Sequence, residues 1–165
     1  MGLVGIEAVL AAITTKLQTD LPAKVTALNT AYGDAYVLTD IAADAYYSYV
    51  PELEAASFNF PAVVLLDDGH GAESEQSNNA LYVCRYAVVV DLLVRGDDAA
   101  ELSYLLRRYT RAVKELLVAR HSLAPTCTAC DWDATSQHRI TLPDSGDYLQ
   151  DMASRFIVLT AETTS

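Results

Sequence analysis

The sequence predicts one α+β domain, with an antiparallel sheet of about four strands, an N-terminal helix and a central amphipathic helix on one face, and a long polar hairpin loop. Three observations predict this class. Two segments repeat apolar residues at helical spacing, a long central segment alternates at strand spacing, and the other strand-like segments are grouped. Grouped strands favour an antiparallel sheet, because interleaved helices are typical of parallel sheets.

The first predicted element is a helix from Ile6 to about Leu28. Its apolar residues recur at helical spacing and form a stripe that can pack on a sheet. Pro22 lies inside this pattern and lacks a backbone N–H, so we expect a kink or break near Leu21. The stripe consists of Ile6, Val9, Leu10, Ile13, Leu17, Leu21, Val25 and Leu28.

The next segment, from Thr30 to Asn59, is rich in tyrosine and weakly periodic. A short strand is expected around Tyr46 to Val50, ended by Pro51. Tyrosines are enriched at interfaces because the ring buries area while the hydroxyl group stays paired or hydrated. They are therefore either candidate subunit contacts or a cover for the edge of the core. The candidates are Tyr46, Tyr47 and Tyr49.

A strand from Phe60 to Leu66 leads into a polar loop, Asp67 to Asn79, that is longer than an ordinary hairpin turn. Such a loop is either mobile or ordered by a neighbouring molecule. It lacks the Gly-Lys-Ser/Thr ending of a phosphate-binding loop and the regular acids of a calcium loop, so we interpret its start as a hairpin tip in solvent. Its candidate contact residues are Asp68, His70, Glu73 and Glu75.

The long run from Leu81 to Arg95 alternates with period two, which predicts a strand with two different faces. The face that contains Cys84, Val88 and Leu92 is wholly apolar or aromatic, whereas the face that contains Asp91 mixes apolar and charged residues. We expect the first face to meet the helices and the second to be partly exposed or used in assembly.

The second predicted helix follows Gly96-Asp97-Asp98 and runs to about Arg120. Asp97 or Asp98 can cap it, and Glu101 adds favourable charge in its first turn. An apolar stripe from Leu102 to Leu117 should face the core. The cations on or beside the other face are either solvated or contact an acidic surface of a neighbouring subunit or partner. They are Arg107, Arg108, Arg111 and Lys114.

The last third of the chain predicts more strands. Two short strands are expected near Cys127 to Ala134 and Gln137 to Leu142, followed by a turn at Pro143 to Asp147. Tyr148 to Thr160 is predicted to be the final strand, and residues 161–165 a loose tail.

The amino-acid composition excludes some classes of protein and disfavours others. The chain has 165 residues, of which 52% are hydrophobic and 20% charged, and its formal net charge is -11. This composition excludes wholesale disorder, and the negative charge disfavours nucleic-acid binding over most of the surface. The sequence has no long apolar run and no basic N-terminal segment, so neither a membrane span nor a signal peptide is expected. Three cysteines do not form a disulfide framework, which favours a reducing cytosol during synthesis.

Cys127-Thr-Ala-Cys130 is the one motif that suggests chemistry. Two thiolates at this spacing can bind zinc, and His121 and His138 are near in sequence, but a second ligand pair is missing. A redox CxxC motif would open a helix, whereas this one lies in an expected strand, which would separate the two thiols. We interpret the cysteines as structural, with a small metal or redox module as the alternative.

Catalytic signatures are missing from the sequence. It contains neither a GxSxG nor an HExxH motif, and carboxylate pairs arise by chance in so acidic a chain. We therefore predict no enzyme activity, no cofactor and no metal. The carboxylates that could supply such a pair are Asp131, Asp133, Asp144 and Asp147.

The order of elements resembles the tail terminator and tail-completion proteins of tailed bacteriophages. After the amphipathic N-terminal helix, Phe60-Pro61-Ala62-Val63-Val64 leads into the polar loop. The strand from Tyr82 to Asp91 then leads into the acid-capped helix, and Arg155 to Thr160 closes the domain. The resemblance covers most of the chain.

The resemblance implies a ring, commonly hexameric, at the head-proximal end of the tail tube, where it stops tube polymerisation and meets the neck. The implied partners are other copies of the chain, the tail tube protein, a neck or head-completion protein and, in a contractile tail, the sheath. DNA would pass through the ring without sequence-specific binding, and no membrane is involved. The implied location is the virion, after synthesis in the host bacterial cytoplasm. The alternative is another neck component, such as a head-completion or stopper protein.

Overall fold

Two helices lie on one face of a six-stranded sheet. The computed structural model describes residues 4–48, 59–68, 73–77, 81–119, 122–142 and 145–163. In chain order the elements are α1 (Ile6–Tyr32), a short 3-10 turn (Ala43–Ala45), β1 (Tyr46–Tyr47), β2 (Ala62–Asp67), β3 (Glu73–Ser77), β4 (Leu81–Gly96), α2 (Ala99–Leu117), β5 (Ala129–Thr141) and β6 (Tyr148–Thr163).

The strands follow the order β1-β2-β4-β6-β5, and β3 pairs with the beginning of β4. All pairs are antiparallel except β1 and β2, which run parallel. The α+β class is confirmed. The sheet has six strands rather than the predicted number of about four, and it is mixed rather than purely antiparallel.

The core lies between the helices and one face of the sheet. Ile13 and Leu17 of α1, Leu106 of α2, and Val90 and Phe156 of the sheet are all 0% exposed. The alternation in β4 placed this face correctly. Apolar burial of this extent is the main stabilising contribution to the fold, at roughly 25 cal/mol per Å² of apolar surface removed from water.

Helix α1 runs unbroken through Pro22, so a break near Leu21 is excluded, whereas the alternative of a kink there stays a prediction. Proline removes one helical hydrogen bond, but Leu17, Leu21 and Val25 are all nearly fully buried on the same stripe, and their packing holds the helix together. The helix continues to Tyr32, beyond the predicted end. Gly33 then adopts a left-handed conformation, with φ 60°, and its N–H donates to the carbonyl oxygen of Asn29.

Helix α2 begins as predicted. The Asp98 carboxylate accepts hydrogen bonds from the backbone N–H groups of Ala100 and Glu101, at 2.8 and 3.1 Å. These bonds satisfy two of the free donors at the helix start. The helix ends at Leu117, slightly before the predicted boundary at Arg120, which lies outside the described residues.

The predicted loop from Asp67 to Asn79 contains a strand. Residues Glu73–Ser77 form β3 and pair with Leu81 to Arg85 of β4, so this part of the loop prediction was wrong. The five residues are all polar and offer no apolar alternation from which a strand can be recognised. Residues 69–72 and 78–80 lie outside the described parts of the chain.

Three further boundaries differ from prediction. Strand β5 is continuous, and a bulge between Trp132 and Ala134 accommodates the irregular pattern that suggested two short strands. Strand β6 extends to Thr163, so most of the expected loose tail pairs with β4. The strand expected at Tyr46 to Val50 is present at Tyr46–Tyr47, and residues 49–50 lie outside the description.

Candidate interaction surfaces

The four cations predicted on α2 divide between two flanks of the helix. Arg108 faces inward, with only 7% of its surface exposed. Its guanidinium donates to the Asp34 carboxylate and to the Tyr36 carbonyl oxygen, and lies 3.9 Å from the centre of the Tyr32 ring. Arg108 therefore joins α2 to the segment after α1 and does not belong to an exposed cationic face, which corrects the sequence interpretation.

Arg111 lies on the same side of α2 as Arg108. Its Nε donates to the Glu115 carboxylate at 2.7 Å, and its Nη1 donates to the Tyr32 hydroxyl at 3.1 Å. Lys24 of α1 pairs with the same Glu115. The two cations hold the pKa of Glu115 below its ordinary value. Arg111 is thus exposed but already occupied by contacts within the chain.

The other two cations lie on the flank that faces β5. Ser103 marks this flank, because its hydroxyl hydrogen bonds with Gln150 at 2.9 Å and lies 3.5 Å from the Gln137 amide. Arg107 follows one turn later on the same flank and is exposed. Lys114 lies two turns further on, with its Nζ 3.4 Å from the centre of the Trp132 ring.

Strand β5 adds two residues that sequence reasoning missed. Trp132 pairs with Phe156 and Arg139 with Gln150, both of which are buried beneath the helices. Trp132 and Arg139 therefore share the helix side of the sheet, but they lie beyond α2 and are exposed. We call the surface formed by Arg107, Lys114, Trp132 and Arg139 the β5 ledge. The only sign of this surface in the sequence is a single tryptophan within a polar segment. The register of β5 on β6 is what places Trp132 beside α2.

The β5 ledge concentrates cations that lack a carboxylate partner. Within the described ranges, Arg107, Lys114 and Arg139 form no ion pair, and Arg85 on β4 is the one other such cation. Arg139 contacts the Tyr148 ring, 5.7 Å from its centre. The cations that do pair with carboxylates are Lys16, Lys24, Arg95, Arg108, Arg111 and Arg155.

The tyrosines predicted as contacts lie at the opposite edge of the sheet. Tyr46 and Tyr47 are half-buried on β1, and Tyr49 is outside the described residues. Burial, and to a lesser degree the charge of Asp40, raise the pKa of Tyr46 to about 12. Asp40 itself is exposed and has no ion-pair partner among the residues described.

Of the four candidate contact residues in the predicted polar loop, three lie within the described residues. Asp68 forms an ion pair with Arg155, whose Nε lies 2.7 Å from the carboxylate. Glu73 and Glu75 belong to β3, and His70 lies outside the described residues. Their role as contacts stays a prediction.

A small cluster of titratable groups lies on the face of the sheet opposite the helices. Nδ1 of His138 is 2.9 Å from the Asp151 carboxylate, and this contact raises the His138 pKa. Asp91 shares the face, and one of its oxygens is buried without a hydrogen-bond partner in the described chain. Burial raises the pKa of Asp91 to about 7, with a further increase from Asp151 and an opposing effect of His138.

The two cysteines of the CxxC motif are both buried. Cys127 lies just before β5 rather than in the strand, and both cysteines line one recess, contrary to the predicted separation. Burial raises the pKa of Cys127 to about 11 and that of Cys130 to about 12, which keeps both thiols protonated at neutral pH. His121 lies outside the described residues, and His138 is held by Asp151. No group of three or more His, Cys, Asp or Glu side chains in the described chain can hold a metal ion.

Across the described parts of the chain, no helix has both the length and the apolar character that crossing a membrane requires.

Comparison with known proteins gives a likeness in fold. The sequence matches no protein-family model, and no curated protein sequence matches it. Among solved structures, the fold is similar to that of a chain in the "Virion of native gene transfer agent (GTA) particle". The TM-score is 0.51 at 16% sequence identity, and the alignment covers 91% of this chain and 93% of that chain. The two chains therefore share an α+β fold over nearly their whole lengths.

Proposed function

We propose that this chain is a structural protein of a tailed-phage or phage-derived virion. It forms a ring at the head-proximal end of the tail tube, ends tube polymerisation and joins the tail to the neck. The observation that carries the proposal is the likeness in fold to a virion chain across 91% of this protein. The order of elements that resembles tail terminators, from the N-terminal helix to the last strand, supports the specific role.

The distribution of charge supports a ring around a DNA channel. With a net charge of -11, most of the surface offers phosphates no cations to replace their counterions, so DNA can pass without adhering. A ring also needs two different contact surfaces on each subunit, because each copy meets one neighbour on either side. The two edges of this sheet differ in that way: the β1 edge carries Asp40, whereas the β5 edge carries Arg107, Lys114 and Arg139.

A structural role agrees with the chemistry of the described residues. The two cysteine thiols are buried and protonated, and the His138–Asp151 pair lies on a sheet face with its histidine exposed. The most heavily buried cation, Arg108, joins two segments of the fold. None of these groups provides an activated nucleophile.

The test is deletion of the gene for this chain from the genome that encodes the virion. A tail terminator is expected to leave tubes of irregular, extended length and no joined heads, and the purified chain is expected to form rings and to cap tube ends in electron micrographs. A head-completion or stopper protein would instead co-purify with head-side proteins and leave tails of normal length. Tails of normal length that are joined to heads would refute the proposal.

A further inference from the structure

We infer that the β5 ledge is a docking surface for a second copy of this chain, whose acidic β1 edge contacts Arg107, Lys114 and Arg139. The inference rests on the proposed ring, because it names the surface through which neighbouring subunits meet. It differs from the sequence hypothesis, since Arg108 and Arg111 face the interior or α1 while Arg139 and Trp132 enter the contact.

The shape of the ledge suits a protein partner. Strand β5 pairs only with β6 in the described sheet, so its outer backbone groups are open along an edge. Side chains from Asp131 to Arg139 are all exposed. The flank of α2 that carries Arg107 and Lys114 stands beside this row and forms the second wall. A partner that binds to the β5 ledge can contact both the edge of β5 and helix α2.

The ledge also holds an apolar anchor. Trp132 is 42% exposed and Val118, one turn after Lys114, is 43% exposed. Val118 and Asp131 line a recess of about 190 Å³ that reaches the two buried cysteines. An exposed tryptophan beside a recess is typical of residues that dominate binding energy in protein interfaces.

Charge selects the partner. Each copy has a net charge of -11, so contact between two copies is repulsive unless unpaired cations lie at the interface. Three of the four described cations without a carboxylate partner lie on the ledge. A second copy is acidic over most of its surface, which makes the ledge the favourable side for docking.

The opposite edge of the sheet supplies matching acids. Asp40 is exposed beside β1, and its charge acts on Tyr46 of that strand. Asp44, in the turn just before β1, is exposed and accepts a hydrogen bond from Asn59 at 3.1 Å. Because the β1 and β5 edges are at opposite sides of one sheet, their contact is head-to-tail, which is the arrangement that closes into a ring.

The experiment compares two charge reversals with the same change in net charge. Arg107→Glu alters the ledge, and Arg85→Glu alters an exposed, likewise unpaired cation on β4. Sedimentation velocity of the full chain at low salt is expected to show that Arg107→Glu raises the dissociation constant of self-association at least about tenfold, while Arg85→Glu changes it less than about threefold. Asp40→Lys should also weaken association, and combining it with Arg107→Glu should restore most of it. Circular dichroism confirms that each variant is folded.

Trp132 provides an independent readout, because it is the only tryptophan in the chain. Its fluorescence is expected to shift to shorter wavelength as wild-type chains associate, and to shift less in Arg107→Glu at equal concentration. The absence of any shift on association would place the interface elsewhere.

Other results overturn the inference in distinguishable ways. Association that is unaffected by Arg107→Glu or by Asp40→Lys would refute this interface but leave the ring intact. A wild-type chain that stays monomeric at high concentration and on tube ends would refute both the interface and the proposed function. Binding of duplex DNA at physiological salt that Arg107→Glu abolishes, with self-association unchanged, would show that the ledge is a phosphate-binding surface instead.

Discussion

The hydroxyl group of Tyr109 forms hydrogen bonds with both the backbone N–H and the backbone carbonyl oxygen of Thr39. It donates to the Thr39 carbonyl oxygen at 2.6 Å and accepts from the Thr39 N–H at 3.0 Å. The ring is buried in the core, with 2% of its surface exposed. These bonds fix the segment between α1 and β1, which contains Asp40, to helix α2.

We expect Tyr109→Phe to lower the free energy of unfolding by about 1–3 kcal/mol, because the variant leaves two backbone groups of Thr39 without their partner. Urea denaturation measures this change. Tyr104→Phe is the matched control, since Tyr104 is 46% exposed and stacks on Tyr36 through its ring. Its substitution should cost less than about 0.5 kcal/mol. Equal effects of the two substitutions would show that the Thr39 contact has no energetic role.

The sequence was sufficient where one residue pattern decided the structure. Helix α2 has an acid at its start and an apolar stripe, and both act locally, so its beginning was predicted correctly. The buried face of β4 followed from strict alternation. The continuity of α1 could not be predicted from the local sequence. The helical hydrogen bond that Pro22 removes is outweighed by the packing of α1 against the sheet, and that packing is not visible in the local pattern.

The candidate surfaces were harder to predict because they depend on register. Arg107 and Arg108 are neighbours in sequence, yet one is exposed beside β5 and the other is buried against Asp34, which lies 74 positions away along the chain. Arg139 joins the ledge only because β5 pairs with β6 in one particular register. Polar edge strands such as β3 lack the apolar alternation from which strands are recognised.

Asp91→Asn should stabilise the protein at alkaline pH. Burial raises the pKa of Asp91 to about 7, above the value of about 3.9 in the unfolded chain. The contribution of Asp91 to stability is therefore complete below about pH 4 and is lost as the pH rises through 7, where the buried carboxyl ionises. At pH 8 we expect the variant to be more stable by about 1–3 kcal/mol, and at pH 4 to equal the wild type.

Three other charged groups lie on the same face of the sheet as Asp91, and one of them also titrates near neutral pH. Asp151 and His138 act on it from β6 and β5, and Arg155, on the same face, pairs with Asp68 and Asp133. The raised pKa of His138 shifts stability in the same direction, since its contribution is present below about pH 6.5 and is lost at higher pH. Most of that contribution comes from Asp151 and persists in both proteins, whereas the smaller part that comes from the Asp91 charge is lost in Asp91→Asn.

Asp131→Asn, at an exposed position on β5, is the matched variant for Asp91→Asn. It should change stability by less than about 0.5 kcal/mol at either pH. Thermal unfolding at pH 4 and pH 8 separates the two. A pH-independent difference between wild type and Asp91→Asn would show that Asp91 does not titrate in this window.

Asp98→Ala should destabilise the start of α2. The carboxylate accepts from two backbone N–H groups, and loss of such a cap costs about 0.5–2 kcal/mol. Asp98→Asn and Asp98→Ser retain an acceptor and should recover most of the loss. Chemical denaturation of the three variants measures this ranking. If alanine were tolerated as well as serine, the cap would contribute nothing to stability.

The cysteines give a test of the competing metal or redox hypothesis. Burial raises the pKa of Cys127 to about 11 and that of Cys130 to about 12, so almost no thiolate is present at pH 8. We expect both thiols of the native protein to react with a thiol-specific disulfide reagent at least about a hundredfold more slowly than in urea, because the thiolate is the reactive form and each pKa unit changes its fraction tenfold. Cys84 is also buried, and its burial should slow its reaction by limiting access of the reagent. Rapid labelling of the native protein, or stoichiometric zinc that is lost together with the fold in Cys130→Ser, would favour the metal or redox module over a structural role.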